Sequence, residues 1–313
     1  MNTITPRNSA NVVLTFALSL FATCIVPGSL DAATPVVCGD NLSIAGGQYT
    51  LTSDVICSNN PAITISAANV SLSLAGHTLT GPGAATSTGI GILIAAVSGV
   101  HVNGGTVTGF LIGIKLDGST DAHVNGMTVN GDVTGVALLS ANGNHINGNN
   151  ISNNTQLGVL LQNSATNAFN TNVISGNGQN QVDGGIALYS SSYNLITSNT
   201  LSDDGLVGVF IDPLSTYNTV RSCIASTSNP GQLPSPNRTG ILVAGSNNLI
   251  QGNTTNYNQY GIWLTGPSSK NTIQSNVAIG NWQTDLRDDT TCGNNKWKSN
   301  TFVTASPANV CIQ

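Results

Sequence analysis

Charged side chains are scarce in this sequence of 313 residues. They make up 7% of the chain, and glutamate does not occur at all. The eight lysines and arginines are scattered and the net charge is −5, which excludes the clustered positive charge typical of nucleic-acid-binding proteins. A chain this poor in charge can be disordered, but 40% of the residues are hydrophobic and they recur periodically. The composition therefore predicts a folded core.

Long apolar runs are also missing, apart from one near the N-terminus. Arg7 precedes an apolar run, Val12–Val26, that is shorter than the roughly 20 residues needed to span a bilayer. Ala32 and Ala33 follow it and suit cleavage by a signal peptidase. We therefore predict a signal peptide over residues 1–33 and one secreted or periplasmic domain over residues 34–313, without a membrane span in the mature chain. An N-terminal membrane anchor is the alternative interpretation of the same run.

The motif Cys-x-x-Cys, which is common in zinc sites, does not occur. Cys38 and Cys57 lie at the start of the predicted domain, and Cys292 and Cys311 lie at its end. In an oxidising compartment the economical pairing is Cys38–Cys57 and Cys292–Cys311, each bond contributing about 3 kcal/mol in the loop-entropy model. Zinc is the alternative for these cysteines, and the missing motif favours disulfides.

Glycine is abundant, and eight of the 35 glycines open a Gly-hydrophobic-x-hydrophobic segment. These eight are Gly91, Gly113, Gly135, Gly158, Gly185, Gly208, Gly240 and Gly261. Successive segments begin 21 to 32 residues apart. A period in the low twenties with one short β-branched run per unit is typical of a solenoid, in which each unit stacks on the last.

Asparagine recurs in a regular frame between these segments. One unit has the pattern Asn144-x-Ile146-x-x-Asn149-x-Ile151-x-x-Asn154, and similar frames begin at Asn167, Asn194, Asn248 and Asn271. Each unit thus predicts three short extended stretches separated by corners, where asparagine tolerates the left-handed conformation and can bond to the next turn. Asn150 and Asn253 also begin glycosylation sequons, but the corner position of Asn253 favours a structural role. Cys223 occupies the same column, which predicts a buried residue rather than a reactive thiol.

These features resemble the right-handed parallel β-helix proteins, and within them the NosD-like periplasmic group. The resemblance covers about residues 36–313 and rests on the repeats, on Leu74–Gly81, and on the cysteine-bounded segments at both ends. It implies an all-β fold of about ten coils with three short strands per coil. The wider family includes polysaccharide lyases, hydrolases and epimerases as well as proteins without known chemistry. The name of the group implies a link to copper-enzyme maturation.

Two repeat units are longer than the others, and both insertions fall at the same corner. They contain Asp183 and Arg238, and Asp203 and Asp204 lie at that corner of the turn between them. The adjoining strand should present these side chains outward: Tyr189, Phe210, Asp212 and Trp263. Carboxylates beside exposed aromatic rings suit a sugar chain, because aromatic faces stack on pyranose rings and carboxylates bond to hydroxyls. The sequence therefore predicts a groove that binds a polysaccharide or a cell-surface glycan.

The same groove allows an enzyme hypothesis, in which Asp203, Asp204 and Asp212 carry out acid–base catalysis on a substrate held by Asp183 and Arg238. The paired aspartates resemble those of polygalacturonases, but the accompanying Asn-Thr-Asp, His-Gly and Arg-Ile-Lys motifs are absent. The start of the Asp-Pro-His-Asp motif of alginate epimerases recurs at Asp212, but its second half does not. A plain turn is the alternative for the aspartate pair. We therefore predict an extracytoplasmic carbohydrate-binding or structural protein, with a polysaccharide hydrolase, lyase or epimerase as the alternative.

Three histidines recur at steps of 22 residues: His101, His123 and His145. Each occupies an outward position, so they should stack on successive turns about 4.8 Å apart. Neighbouring imidazoles at that spacing can share a copper or zinc ion, whereas a polar ladder without a ligand is the alternative. His77 falls at a different point of its turn and is not expected to join them. No cofactor is predicted outright, and this column carries the copper or zinc hypothesis.

Overall fold

The computed structural model describes residues 32–83, 89–178, 184–227, 239–307 and 311–312. The chain divides into two units, Met1–Ala32 and Ala33–Gln313. The first lies outside the described residues apart from Ala32, so the signal peptide over residues 1–33 stays a prediction. The described part of the second unit is all-β, and it contains no helix long and apolar enough to cross a membrane.

The strands form a right-handed parallel β-helix, as the sequence predicts. Twelve of them form one sheet, in which each strand pairs in parallel with the strand one turn further on. Numbered along the chain, they are β2 (Asp40–Leu42), β5 (Ile63–Ile65), β8 (Ile90–Ala95), β10 (Ile112–Asp117), β12 (Thr134–Leu139), β15 (Leu157–Gln162), β18 (Gly184–Tyr189), β21 (Val207–Ile211), β24 (Thr239–Val243), β26 (Tyr260–Leu264), β29 (Thr284–Asp288) and β32 (Ala305–Ser306). Twelve strands give about eleven turns. This agrees with the prediction of about ten coils, and the strands of this sheet that the Gly-led segments do not mark are β2, β5, β29 and β32.

An eighteen-stranded sheet forms the remaining sides of the solenoid. Its strands are β1 (Thr34–Pro35), β3 (Gln48–Thr50), β4 (Val55–Ile56), β6 (Ser71–Ser73), β7 (Thr78–Thr80), β9 (His101–Thr108), β11 (His123–Asn130), β13 (His145–Asn147), β14 (Asn150–Ser152), β16 (Ala168–Asn170), β17 (Val173–Ser175), β19 (Leu195–Thr197), β20 (Thr200–Ser202), β22 (Thr219–Arg221), β23 (Ile224–Ala225), β25 (Leu249–Gln251), β27 (Thr272–Gln274) and β30 (Lys296–Lys298). It contains two parallel ladders, which the long strands β9 and β11 join. Near the C-terminus a two-stranded sheet, β28 (Val277–Ala278) and β31 (Thr301–Phe302), continues the second ladder.

Stacked hydrophobic side chains fill the interior. Along the first ladder of the eighteen-stranded sheet the stacked positions are Val102, Val124, Ile146, Phe169, Ile196, Val220, Ile250, Ile273 and Trp297. All of them except Trp297 are fully buried. Burial of one such side chain contributes about 1.5–3 kcal/mol relative to exposure. Because the interior is packed in this way, ligands must bind on the outer faces.

A residue in the left-handed conformation, followed by a buried asparagine, turns the chain at its corners. Ser198 has a φ of 56°, and the next residue, Asn199, accepts a hydrogen bond from Asn172 Nδ2 at 2.9 Å. The same ladder continues through Cys223, whose backbone N–H donates to Asn253 Oδ1 at 2.9 Å. Cys223 is 1% exposed and Asn253 is fully buried, which confirms the structural roles predicted for both.

Two disulfides close the ends of the solenoid. Cys38 pairs with Cys57 and Cys292 pairs with Cys311, each across a sequence separation of 19 residues. Both pairings confirm the prediction from the sequence. Cys223 is the one free cysteine among the described residues.

Candidate functional site

The outer face of the twelve-stranded sheet carries a column of outward-directed side chains, most of them large. In β24, Leu242 points outward between Ile241 and Val243, which are both fully buried. The strand register places these residues in the same outward column on successive turns: Ala187, Phe210, Leu242, Trp263 and Arg287. Neighbouring positions in such a column are about 4.8 Å apart.

Two partly exposed aromatic residues of this column and two that flank it define what we call the aromatic face: Phe210 and Trp263 in the column, Tyr189 and Tyr260 beside it. The rings of Tyr189 and Phe210 meet edge to face with their centroids 5.6 Å apart. The rings of Tyr260 and Trp263 have centroids 4.8 Å apart. The structure therefore places three of the predicted substrate-binding residues on one face and adds Tyr260, which the sequence analysis missed.

Arg287 and Asp289 hold one end of the aromatic face in place. The guanidinium carbon of Arg287 lies 4.4 Å from the ring centroid of Trp263 and 5.1 Å from that of Tyr260. Asp289 accepts hydrogen bonds from Arg287 Nε and from Trp263 Nε1, both at 2.9 Å. The hydrogen bond to Asp289 raises the pKa of Arg287, so the cation over the two rings stays charged. The sequence repeat indicates the position of Arg287, because Arg287 lies one turn after Trp263 in the same outward column.

Two adjoining depressions run along the aromatic face. One has a volume of about 190 Å³ and is lined by Ala187, Phe210 and neighbouring apolar side chains. The other has a volume of about 320 Å³ and is lined in part by Tyr260 and Trp263. Both depressions share three lining residues: Leu206, Val207 and Leu242. Together they form an apolar groove across several turns.

Asp204 lies inside the corner of the solenoid and not on the groove surface. Its side chain is fully buried, and its Oδ1 accepts hydrogen bonds from the backbone N–H and the side-chain amide of Asn177, at 3.0 and 2.9 Å. Its Oδ2 has no hydrogen-bond partner. Burial raises the pKa of Asp204 well above its usual range, because the interior disfavours the charged form.

The other predicted catalytic aspartates lie at opposite ends of β21. Asp203 precedes the strand, is partly exposed, and accepts a hydrogen bond from the Thr227 hydroxyl at 3.2 Å. Asp212 follows the strand, is 8% exposed, and accepts hydrogen bonds from the Ser190 N–H and the Ser215 hydroxyl, at 3.1 and 2.6 Å. A strand of five residues is about 16 Å long, so the structure does not bring the two carboxyls together.

Two predicted substrate-binding residues fall outside the described part of the chain. Asp183 lies in residues 179–183 and Arg238 in residues 228–238. In the sequence they fall between β17 and β18 and between β23 and β24. Their contribution to the groove stays a prediction.

The three histidines stack as a column on the eighteen-stranded sheet. His101, His123 and His145 pair in register, and each ring centroid lies 4.7 Å from the next. The planes of neighbouring rings differ by 12° and 13°. His77 lies elsewhere, as predicted, with its Nδ1 3.4 Å from an oxygen of Asp54.

Asp121 adds a carboxylate to this column that the sequence analysis did not select. Its Oδ1 lies 3.4 Å from His123 Nε2. One ligand atom each from Asp121, His123 and His145 lie within 4.8 Å of one another. Imidazole nitrogens with a carboxylate oxygen suit copper or zinc. Two ligands of one zinc ion can be at most about 4.2 Å apart, and the separations of these atoms, at most 4.8 Å, are close to that limit.

A protein-family model for "Periplasmic copper-binding protein (NosD)" matches residues 73–306. The chain belongs to the NosD family. The match spans most of the solenoid, including the histidine column and the aromatic face. It confirms the resemblance noted from the sequence. No curated protein sequence matches the chain.

Solved structures with a similar fold have low sequence identity to this NosD-family chain. The periplasmic alginate epimerase AlgG has a TM-score of 0.58 and 14% identity, over 82% of this chain and 75% of AlgG. The A-module of the mannuronan C-5 epimerase AlgE6 of Azotobacter vinelandii has a TM-score of 0.52 and 15% identity, over 87% of this chain and 84% of the module. The Dettilon tailspike protein gp208 has a TM-score of 0.55 and 13% identity, over 87% of this chain but only 61% of the tailspike. At these identities the likeness establishes the fold alone.

Proposed function

We propose that this protein is an extracytoplasmic glycan-binding protein that holds a polysaccharide or cell-surface glycan along the aromatic face. The observation that carries the proposal is the outward column of Phe210 and Trp263, flanked by Tyr189 and Tyr260, beside a continuous apolar groove. Sugar rings have apolar C–H faces that pack on aromatic rings, and Arg287 and Asp289 supply polar groups at the edge. The names of two structural neighbours, both epimerases of alginate or mannuronan, agree with a polysaccharide ligand.

Binding has more support than turnover at this groove. Asp204 is fully buried, which raises its pKa, and Asp212 is held in a turn by Ser190 and Ser215. Asp203 lies at the opposite end of β21 from Asp212. An inverting hydrolase needs two carboxyls about 6.5–9.5 Å apart, which this pair does not supply.

Replacing Trp263 with alanine tests the proposal. Stacking of one aromatic ring contributes about 1 kcal/mol, so Trp263→Ala should weaken glycan affinity about fivefold. Tyr217→Ala is the matched control, because Tyr217 is an exposed aromatic residue (51%) that stacks on Tyr193 away from the groove. Affinities are measured by titration calorimetry with alginate, polygalacturonate and neutral glucans. Equal effects of the two substitutions would contradict the proposal, and new reducing ends or changed uronate composition would support the enzyme hypothesis instead.

A second candidate function is the binding of copper or zinc at Asp121, His123 and His145. The observation that favours it is the convergence of one carboxylate and two imidazoles within 4.8 Å on a chain of the NosD family. His101 continues the stack and can serve as a further ligand. A bound ion would supply Lewis-acid or redox chemistry, while the protein would supply the nitrogen and oxygen donors that position it.

Alanine at His123 should abolish this metal site, because His123 is the central ring of the column and also contacts Asp121. We expect His123→Ala to weaken copper or zinc affinity at least tenfold, measured by competition with a chromogenic chelator. His77→Ala is the control, since His77 pairs with Asp54 outside the column. Unchanged metal affinity in His123→Ala would leave the column as a polar ladder without a ligand.

A further inference from the structure

Several lysines and arginines that are far apart in the sequence lie near one another in the folded protein. Two of the described lysines and arginines have acidic partners, Lys115 with Asp117 at 2.7 Å and Arg287 with Asp289 at 2.9 Å. The others are all exposed, and none of them forms an ion pair with another described residue: Arg221, Lys270, Lys296 and Lys298. These four, which we call the basic strip, lie near the C-terminal end of one ladder. The protein as a whole has a net charge of −5, so these positive charges are concentrated in one region of an acidic molecule.

The strand register shows how the basic strip is built. Arg221 aligns with Gln251, then Gln274, then Lys298 across β22, β25, β27 and β30 of the first ladder. Three steps between strands place the roots of Arg221 and Lys298 about 14 Å apart along the solenoid axis. Lys296 lies on the same strand as Lys298, and Lys270 lies at the corner before β27. These four strands contain no aspartate, so no acidic side chain within them interrupts the strip.

A polar groove lies against the strip and differs from the apolar groove of the aromatic face. It has a volume of about 340 Å³ and is lined by Thr197, Ser198, Arg221, Ser222, Gln251, Gly252 and Ser275. Its hydroxyl and amide groups can both donate and accept hydrogen bonds. Arg221 Nε donates to the Thr197 hydroxyl at 3.3 Å, which directs the guanidinium along the groove.

We propose that the basic strip and the polar groove bind an acidic polysaccharide of the polyuronate class, on a face separate from the aromatic face. A polyuronate carries spaced carboxylates with hydroxyls between them, and the strip offers spaced cations with glutamine, serine and threonine between them. Guanidinium binds carboxylate through two parallel hydrogen bonds, so Arg221 is the principal contact. Double-stranded DNA carries one charge about every 1.7 Å of its axis and would require a denser row of cations than this strip has.

The test uses polygalacturonate as the probe, dextran as the uncharged comparison, and the double variant Arg221→Gln/Lys298→Gln. We expect the double variant to lose at least tenfold in affinity for polygalacturonate, and wild-type binding to weaken as salt is raised. Lys115→Gln is the control, because it removes a cation that pairs with Asp117 and lies on β10 of the other sheet. All variants should keep the wild-type Tm.

A second arm separates this site from the aromatic face. In a Trp263→Ala background the same double substitution should still cost at least tenfold in polygalacturonate affinity, whatever Trp263→Ala does alone. The proposal is overturned if Lys115→Gln weakens binding as much as the double variant does, or if polygalacturonate does not bind at low salt. It is also overturned if vesicles rich in anionic lipid bind more tightly than polygalacturonate and that binding depends on Arg221 and Lys298.

Discussion

Two aspartates occupy corner positions that asparagines occupy on neighbouring turns. Asp132 aligns with Asn154, Asn177 and Asp204. The amides of Asn154 and Asn177 each donate a hydrogen bond to the next turn, whereas the carboxyls of Asp132 and Asp204 accept hydrogen bonds from the preceding turn. An asparagine amide can donate as well as accept there, whereas an ionised carboxylate can only accept. The second carboxyl oxygens of Asp132 and Asp204 are buried and have no hydrogen-bond partner. The folded protein therefore favours the protonated form of both carboxyls.

Asp132→Asn should remove part of a pH dependence of stability. Burial raises the pKa of Asp132 to about 8, whereas an unfolded carboxyl ionises near 3.9. The folded state then binds more protons between about pH 4 and pH 8, so the wild-type free energy of unfolding should fall as the pH rises through that window. The variant should match the wild type near pH 4 and exceed it by about 1 kcal/mol or more at pH 8, measured by urea denaturation. Asp54→Asn, at an exposed site, is the control, and its free energy of unfolding should follow the wild-type pH profile. If the profile of Asp132→Asn also runs parallel to that of the wild type, Asp132 does not cause the pH dependence.

The strands and corners follow from short-range signals, and these were predictable. Alternation places Ile241 and Val243 inside and Leu242 outside, and the asparagine frame locates the corners. The same frame already assigned Asp204 the position of a buried asparagine, which the groove hypothesis did not use. Local pattern therefore decides which side of the tube a residue faces.

Side chains that are adjacent on successive turns were harder to predict, because their alignment depends on strand pairing between turns of unequal length. Arg221 and Lys298 are far apart in sequence, and the strip they form becomes visible only when β22, β25, β27 and β30 are in register. Asp121 was missed for a different reason. Asp121 lies at the corner before the histidine strand, and the equivalent positions on the neighbouring turns are Gly99 and Gly143. Because those positions carry no carboxylate, the repeat does not predict one there.

Each turn of the solenoid contacts only its neighbours, so stability is distributed along the axis and the ends are the weak points. Each disulfide closes an end segment, and the C-terminal one spans Cys292 to Cys311. That segment contains β30 with Lys296 and Lys298, so the cap also supports the basic strip. The C-terminal disulfide and the basic strip are therefore linked through β30.

The double variant Cys292→Ser/Cys311→Ser should therefore loosen the C-terminal turns selectively. We expect hydrogen exchange to accelerate in β29 to β32 while β12 to β21 keep wild-type protection, because the lost bond contributes about 3 kcal/mol only to the segment it closes. Cys38→Ser/Cys57→Ser is the matched control and should loosen only the N-terminal turns. Polygalacturonate affinity should fall in the first variant and not in the second, since only the first frees β30. A uniform loss of protection along the chain would mean that the solenoid unfolds as one unit, and the two ends would then not act independently.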